Sequence, residues 1–364
     1  MNHPLISVVI PTYNRAHCIS RAIRSALCQT YSHIEVIVVD DGSDDGTEEA
    51  VRKNFAANKQ LAYVRQDHAG VASARNHGTR IARGQYVALL DSDDAWEPWK
   101  LELQAACLTA HPELALVCSD MAAVDARGEV VAPRYLATMY DAYSFFTLDA
   151  IFSGKEPLAS HGPARGPAGD GTLFYFGQIF SCMIIGNLIH TSTAVIAKEA
   201  LARIGGFPEN MRVGEDYDAY LRICRDHPVG LLDIPSMRYQ VGMPDTLTSA
   251  PYRLEAALNY FHSIEPFLTH ERDRITLSDA MIRTAWARAF RWIGYEYMNT
   301  GDFRKARAYF LGSIRRRPLQ PAVWCYAASG LLPNSVAGFI RRLYGFRERL
   351  LPKGRSKPAI GVNP

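Results

Sequence analysis

Three carboxylates stand within four residues, at Asp91, Asp93 and Asp94, directly after the apolar residues 86–90. A carboxylate resists burial unless it is paired, hydrogen-bonded or bound to a metal. Two aspartates one residue apart can both reach a hard divalent cation, which in turn bridges to phosphate oxygens. The alternative is a solvated acidic turn, in which Asp93 or Asp94 caps the helix that begins near Glu97. The pattern by itself leaves both interpretations open.

The segments around this acidic cluster predict the elements that would position it. Residues 86–90 are rich in β-formers, which is typical of a strand buried on both faces in a parallel sheet. Similar strands are predicted at residues 5–10, 34–39 and 61–65, separated by helical patterns such as residues 19–27. Strands that alternate with helices of about 10–15 residues indicate βαβ units with right-handed crossovers.

The ends of three predicted strands are expected to meet at one edge of the sheet. We expect the first strand to stop at Pro11, while the second leads into Asp40 and Asp41 and the fourth into residues 91–94. Ligands of open α/β sheets bind at the carboxyl ends of the strands, so these loops would form a pocket on a rigid scaffold. No G-x-G-x-x-G or G-x-x-x-x-G-K sequence follows the first strand, which disfavours a dinucleotide site and a P-loop.

A second acidic group lies further along the chain, after a strand predicted at residues 190–197. Glu215, Asp216 and Asp218 open a predicted helix. Acidic residues in the first turn of a helix are favoured by its macrodipole, so a purely structural role is one interpretation. Asp216 and Asp218 project roughly 200° apart around the helix, so both cannot face the same cleft.

The composition is that of an ordinary globular protein with one large domain and an appendage. The chain has 364 residues, of which 48% are hydrophobic and 21% charged. Its seven cysteines lack C-x-x-C spacing, so neither a zinc site nor a disulfide framework is predicted. No secretory signal is found, and a reduced, cytosolic setting is predicted. The longest apolar segment, residues 173–189, contains polar residues and glycines, which favours a buried core helix over a membrane span.

From about residue 249 the chain changes to successive helical patterns. Residues 301–357 carry 13 Lys/Arg and two acidic residues, a balance of +11, against −8 for the rest of the chain. This segregation predicts an anionic partner, either a membrane surface or nucleic acid. Residues 335–351 interleave apolar residues with arginines, which predicts a basic amphipathic helix. The alternative is that these apolar residues pack on the protein and the arginines are solvated.

The chain contains four short motifs, SVVIPTYN at residues 7–14, VDDGS at 39–43, ARN at 74–76 and LDSDD at 90–94. Their order and approximate spacing are those of the family-two glycosyltransferases. The chain therefore resembles that family over roughly residues 4–240. The resemblance implies the GT-A fold, which is Rossmann-like with a mostly parallel sheet, together with inverting chemistry and nucleotide-sugar donors. We accordingly expect a GT-A catalytic domain at residues 1–245 and an all-α region at residues 246–364.

The resemblance also implies a donor site, whose residues here would be Pro11, Tyr13, Asp41, Arg75, Asp91 and Ser92. Tyr13 and Asp41 would contact the nucleobase, with the backbone of Pro11 beside them. Arg75 would lie near the base and support the acidic loops, and Asp91 would lie by the ribose. The alternatives are that Tyr13 is a core aromatic residue, Asp41 a turn residue and Arg75 an ordinary surface residue of a helix.

The resemblance to the family also implies a metal ligand and a catalytic general base. Asp93 would hold Mg²⁺ or Mn²⁺ against the diphosphate, with Asp94 in a supporting position. The family's Glu-Asp element matches Glu215 and Asp216, so Asp216 would be the base that takes the acceptor hydroxyl's proton. Glu215 would support it, and Asp218 is the local rival.

One stretch of the C-terminal region resembles a single tetratricopeptide repeat of about 34 residues. The residues that carry this resemblance are Phe290, Ile293, Gly294, Tyr297, Ala306, Phe310 and Pro318. A single repeat cannot bury both of its faces, so it would pack on neighbouring elements.

The sequence therefore predicts a metal-dependent inverting glycosyltransferase of the hexosyl or a related class. It would move a sugar from a nucleotide diphosphate donor to a hydroxyl acceptor, a sugar or lipid-linked sugar, in surface polysaccharide or glycolipid biosynthesis. Its expected place is the cytoplasm, peripherally at the inner face of the plasma membrane, and nucleic acid is not expected as a partner. Two alternatives remain: a sugar nucleotidyltransferase, which would release pyrophosphate, and a non-catalytic scaffold that uses its C-terminal helices for protein contacts.

Overall fold

The computed structural model describes residues 3–161, 171–242 and 250–329. The chain divides into two compact units, Met1–Ser249 and Ala250–Pro364. The first unit combines helices with a central sheet, and the described part of the second is all helical. The predicted fold class, an α/β domain followed by an all-α region, is confirmed.

One mixed sheet forms the centre of the first unit. Its 11 strands in the described residues are β1 (Ile6–Thr12), β2 (Ile34–Asp40), β3 (Leu61–Arg65), β4 (Tyr86–Leu89), β5 (Ala95–Trp96), β6 (Leu116–Val124), β7 (Val130–Ala132), β8 (Gly154–Pro157), β9 (Leu173–Gly177), β10 (Val195–Ala197) and β11 (Val229–Gln240). They lie in the order β3-β2-β1-β4-β10-β6-β11-β9-β8, with β5 paired to β11 and β7 to β6. Strands β1 to β4 run parallel, and β6 and β11 point the same way because β10 is antiparallel to both β4 and β6. The carboxyl ends of these six strands therefore lie along one edge.

Helices connect and cover these strands. In the part of this unit that the structure describes, they are α1 (Ile19–Leu27), α2 (Thr47–Phe55), α3 (Val71–Ile81), α4 (Lys100–Ala110), α5 (Leu136–Met139), α6 (Leu148–Ile151), α7 (Phe180–Met183), α8 (Lys198–Arg203) and α9 (Glu215–Asp226). Helix α3 packs closely on β1 and β2. A Cβ atom on Gly78 of α3 would lie 2.4 Å from Cγ1 of Val9, so this approach requires glycine.

The first strand runs further than predicted. Strand β1 stays paired with β2 through Thr12, and Pro11 lies opposite Val39. Its pairing with β4 ends at Val9. Pro11 has no N–H to donate, and it is tolerated because β1 has a neighbour on only one side at that point. The expectation that Pro11 stops the strand is therefore wrong by two residues.

Two later segments also differ from their predictions. Residues 173–189 form β9 and the four-residue helix α7 instead of one buried helix, because a short apolar run predicts burial without specifying its period. Residues 190–197 are a strand only at Val195–Ala197. They begin with a 3₁₀ turn at Thr191–Thr193, which brings hydroxyl groups beside the strand ends.

Four helices make up the described part of the second unit, and they are α10 (Arg253–His270), α11 (Asp279–Thr300), α12 (Phe303–Arg316) and α13 (Pro321–Ser329). Helices α11 and α12 form a hairpin across Gly301, whose φ of 86° ends α11. Gly294 of α11 faces Phe310 of α12, since an added Cβ would lie 2.7 Å from that ring. The resemblance to a tetratricopeptide repeat stays a prediction.

Two further observations concern the membrane. None of the helices in the described ranges is both long enough and apolar enough to cross a bilayer. Residues 335–351, predicted as a basic amphipathic helix, lie outside the described residues.

Candidate active site

A buried arginine joins the two acidic groups identified in the sequence. Arg75, on α3, is 4% exposed. Its Nη2 donates to Oδ1 of Asp91 at 2.8 Å, and its Nη1 donates to Oε1 of Glu215 at 2.5 Å. The loop after β4 and the first turn of α9 are thereby held against one side chain. Asp91 and Glu215, which are 124 positions apart in the sequence, thus belong to one site.

Burial and the neighbouring charges shift the pKa values of Arg75 and Glu215 in opposite directions. Burial lowers the pKa of Arg75, but the carboxylates of Asp91 and Glu215 raise it above its usual value, so the guanidinium stays charged. Burial raises the pKa of Glu215 to about 7, although Arg75 opposes that shift. A buried ion pair of this kind gives little net stability, but breaking it is costly because one charge is left unpaired.

Asp216 stands next to this bridge in the first turn of α9. Its Oδ2 accepts a hydrogen bond from Oγ1 of Thr191 at 2.9 Å, and its Oδ1 lies 2.7 Å from the N–H of Tyr217. The side chain is only half-buried. A carboxylate that is oriented by neighbours and still reaches solvent can accept a proton from an incoming hydroxyl group.

Asp218, the rival to Asp216, is used within the fold. Its Oδ2 accepts from Nε of Arg222 at 2.7 Å. Arg222 also donates to the backbone carbonyls of Ile204 and Gly206, which lie after α8. The Asp218–Arg222 pair therefore fastens α9 to the preceding loop, and this geometry favours Asp216 as the reactive carboxylate.

The 3₁₀ turn at Thr191–Thr193 supplies contacts that sequence reasoning missed. Besides the bond from Thr191, Oγ of Ser192 accepts from the N–H of Asp91 at 3.0 Å. The preceding His190 is buried, and its Nδ1 has no hydrogen-bond partner among the residues described. Burial lowers the pKa of His190 even though Asp91 and Asp216 oppose the shift, so the ring is neutral. The only sequence signal was a run of three hydroxyl residues before an apolar strand.

The residues expected to bind the nucleobase form a second part of the site. The carboxylate of Asp41 is buried and accepts from Nε2 of Gln66 (2.7 Å) and from the N–H groups of Ala69 (2.9 Å) and Gly70 (2.8 Å). It thereby ties the end of β2 to the loop before α3. Tyr13, 43% exposed, stacks on the ring of His68 at 4.1 Å between centroids. An exposed, preoriented aromatic face at a sheet edge is suited to stacking on a base.

The loop that contains Asp93 and Asp94 is strongly acidic. Asp94 is 1% exposed, and its Oδ1 has no hydrogen-bond partner within the described residues. Burial and the charges of Asp93 and Asp91 raise the pKa of Asp94 well above its usual range. Ser92, in the same loop, is also buried. Nη2 of Arg21 donates a hydrogen bond to the backbone carbonyl of Asp93 and so connects this loop to α1.

These carboxylates fit a divalent cation. The loop offers three acidic side chains, one with an unpartnered buried oxygen, and carboxylate oxygens are the ligands that a hard divalent cation prefers. Among the described residues, the oxygens of these three aspartates do not form a three-ligand cluster. This suits a cation held by one or two carboxylates and completed by phosphates and water.

A mixed sheet in which six strands point the same way, with acidic loops at their carboxyl ends, is typical of the α/β class that includes the GT-A fold. Residues 7–157 match the family model described as glycosyl transferase family 2. This part of the chain belongs to that family, which confirms the resemblance drawn from the four sequence motifs.

Two relatives illustrate how far the similarity extends. The chain is 30% identical to an uncharacterized glycosyltransferase of Rickettsia typhi over 224 residues. These aligned residues make up 61% of this chain and 59% of the relative. The chain is also 35% identical to chondroitin synthase of Escherichia coli over 137 residues, and these residues make up 38% of this chain and 20% of the synthase. The chain therefore spans less than two thirds of the length of these relatives.

Two solved structures share the fold. The crystal structure of S. aureus TarS 1-349 in complex with UDP-GlcNAc has a TM-score of 0.57 at 18% identity, covering 89% of this chain and 84% of that one. The mannosyltransferase PcManGT from Pyrobaculum calidifontis, in complex with GDP-Man and Mn²⁺, has a TM-score of 0.50 at 19% identity, covering 95% and 88%. At such identities the likeness establishes the fold.

Proposed function

We propose that this chain transfers a sugar from a nucleotide diphosphate sugar to a hydroxyl acceptor, with inversion at the anomeric carbon. The observation that carries the proposal is the buried bridge from Asp91 through Arg75 to Glu215. It joins the acidic loop after β4 to the helix turn that bears Asp216. Membership of glycosyl transferase family 2 supports the reaction class. The two structural neighbours contain UDP-GlcNAc and GDP-Man, which supports a nucleotide-sugar donor.

In the proposed reaction Asp216 is the general base. An acceptor hydroxyl oxygen attacks the anomeric carbon and forms the new glycosidic bond. The bond from that carbon to the phosphate oxygen breaks, and its electron pair leaves with the nucleoside diphosphate. The acceptor proton passes to the carboxylate of Asp216, which Thr191 holds in orientation. A single displacement of this kind inverts the configuration.

Asp93 is the proposed ligand for Mg²⁺ or Mn²⁺, with Asp94 in support. The cation would supply Lewis-acid stabilisation of the departing diphosphate. The Mn²⁺ present in the mannosyltransferase complex supports the use of a divalent metal. Glu215 supports the site from the other side, since it holds Arg75 in place.

The donor's nucleoside is proposed to lie across the ends of β1, β2 and β4. Its base would stack on Tyr13 beside the backbone of Pro11, while Asp41 keeps the loop under that ring in position. The ribose would lie near Asp91 and Ser92. Arg75 holds Asp91 and so fixes the wall of the pocket.

For the acceptor and the location we propose a sugar or lipid-linked sugar in surface polysaccharide or glycolipid assembly, on the cytoplasmic side of the plasma membrane. The relatedness to a chondroitin synthase supports polysaccharide chemistry. The +11 balance of residues 301–357 supports a peripheral contact with anionic lipid.

A donor screen tests the reaction class. The full chain is incubated with UDP- and GDP-sugars, with and without Mn²⁺, and nucleoside diphosphate release is measured with acceptor sugars present. We expect one donor to be consumed with release of its nucleoside diphosphate and formation of a glycoside of inverted configuration. Release of pyrophosphate from a sugar phosphate and a nucleoside triphosphate would instead identify a nucleotidyltransferase and overturn the proposal.

A further inference from the structure

Three side chains converge at a point that the glycosyl-transfer mechanism does not use. Nε2 of His111 lies 2.5 Å from Oε1 of Glu156, and Nε2 of His161 lies 2.6 Å from the same oxygen. One ligand atom from each of the three residues lies within 4.8 Å of the other two. Within the described ranges this is the one group of at least three His, Cys, Asp or Glu side chains with such convergence.

This cluster, His111, Glu156 and His161, lies away from the acidic loop. His111 follows the last residue of α4 and precedes β6, so it stands at the amino-end edge of the sheet. Asp91 and Asp93 follow β4, which points the same way as β6, and they stand at the opposite edge. Glu156 belongs to the edge strand β8, and His161 ends the 3₁₀ helix that follows it.

The surroundings of the cluster resemble the support that metal-bound histidines receive. The second ring nitrogen of His111, Nδ1, lies 3.1 Å from Oε1 of Glu113. Metal-ligating histidines commonly use their other nitrogen in this way, which fixes the tautomer and the ring orientation. The aromatic rings of Phe174 and Phe176 lie against the ring of His111, at 5.6 and 4.5 Å between centroids, and limit the access of water to it. His161 is itself 8% exposed at its side chain.

We propose that His111, Glu156 and His161 bind a Zn²⁺-class transition metal, with a water molecule as fourth ligand. Two imidazoles and one carboxylate suit zinc and its borderline-soft neighbours, and they suit Mg²⁺ or Ca²⁺ poorly. Around a shared ion each Nε2 would stand about 2.0–2.1 Å from the metal, the usual Zn–N distance, in place of its present contact with Oε1 of Glu156.

The proposed site does not depend on the proposed glycosyl transfer. It links the C-terminal end of α4 to β8, a four-residue strand at the edge of the sheet. Such a short edge strand has a neighbour on one side only. The metal therefore fastens the outermost strand to the helix layer.

The first test is metal content. The full chain is stripped with a chelator, dialysed against limiting ZnCl₂ and analysed by mass spectrometry for bound metal. We expect one equivalent of zinc in the wild type and in Asp93→Asn, and its loss in Glu156→Gln and in His161→Gln. Zinc that is lost in Asp93→Asn but kept in His161→Gln would overturn the proposal, because the ion would then belong to the acidic loop.

A second measurement uses only the wild-type chain, so it does not depend on whether the variants fold. Co²⁺ replaces Zn²⁺, and its visible spectrum and the thermal midpoint are recorded during titration. We expect the intense bands of tetrahedral Co²⁺ with nitrogen and oxygen ligands, and a midpoint that rises with each metal until one equivalent. A chain that takes up no zinc, or a midpoint unchanged by zinc, would show that the three side chains form only a hydrogen-bonded network.

Discussion

Replacing Arg75 with glutamine removes the cation that two carboxylates share. Arg75 is 4% exposed and Glu215 equally buried, so Glu215 cannot turn to water without moving the helix that carries it, whereas Asp91 is partly exposed. Removing one partner of a buried ion pair costs about 3–5 kcal/mol, because the remaining charge is left uncompensated. We expect Arg75→Gln to lower the free energy of unfolding by this amount at pH 8.

The cost should be smaller in acid. Burial raises the pKa of Glu215 to about 7 from an unfolded value of 4.5, and loss of Arg75, which opposes that shift, would raise it further. A carboxyl group with a raised folded pKa takes up a proton on folding, so stability is highest below the unfolded pKa and falls as pH rises through the folded pKa. Above about pH 7 Glu215 of the wild type is mostly ionised and its contribution levels off. The variant, with its higher folded pKa, goes on losing stability, by about 1.4 kcal/mol for each unit by which that pKa exceeds the wild-type value.

Urea unfolding of the full chain at pH 5.5 and pH 8 measures both effects. We expect the cost of Arg75→Gln to be larger at pH 8 than at pH 5.5 by up to about 1.4 kcal/mol, the linkage value of the one pH unit between the wild-type pKa of Glu215 and pH 8. Glu215→Gln is the matched control, since it removes the buried charge and leaves the Arg75–Asp91 pair intact. Added to Arg75→Gln, it should restore part of the lost stability and remove the extra pH dependence. A cost for Arg75→Gln below about 1 kcal/mol at both pH values would refute the bridge as the element that joins the two acidic groups.

Three further predictions concern the metal, the donor and the membrane. Asp93→Asn should abolish turnover and weaken metal-dependent donor binding in calorimetry, with little change in the thermal midpoint without ligand; full activity in EDTA would contradict this. Tyr13→Ala should raise the dissociation constant of the nucleoside diphosphate by roughly tenfold, since a base–aromatic stack contributes about 1–3 kcal/mol. Tyr13→Phe keeps the ring and should leave the dissociation constant nearly unchanged, so an equal change in both variants would exclude stacking. The full chain should co-sediment with anionic but not with neutral vesicles, and less so at high salt. A chain shortened to end at Pro333 should not co-sediment, because about 1 kcal/mol of binding free energy per engaged Lys or Arg would be lost. Equal sedimentation of the two chains would exclude residues 334–364 as the membrane contact.

The sheet and the acidic loops could be predicted because their signals are local. Strand β3 begins and ends at the predicted residues, and α1 spans the residues whose spacing predicted a helix. The carboxylates at Asp91 and Asp93 follow the strand that positions them. Each of these features depends on the order of a few neighbouring residues, which periodicity and strand-end rules describe.

Contacts between distant residues had no such signal. The bonds from Thr191 to Asp216 and from Arg75 to Glu215 join residues 25 and 140 positions apart. His111 and Glu156, 45 positions apart, meet only because β8 is added at the far edge of the sheet. Cysteine spacing, which gave no indication of zinc, does not report on histidines that the fold brings together. The apolar residues 173–189 show a related limit, since hydrophobicity alone did not distinguish strand β9 from a helix.

The most direct test of the account compares Asp216→Asn with Asp218→Asn. The two carboxylates are two residues apart on α9, but Asp216 is held by Thr191 and reaches solvent, whereas Asp218 is paired with Arg222. Steady-state turnover and donor affinity are measured for both variants with the donor that the screen identifies. We predict that Asp216→Asn lowers kcat by at least ~10²-fold, the scale of general-base catalysis, with donor affinity nearly unchanged, while Asp218→Asn chiefly lowers stability. Loss of donor affinity in Asp216→Asn, or an equal fall in kcat for both variants, would contradict the assignment of Asp216 as the base.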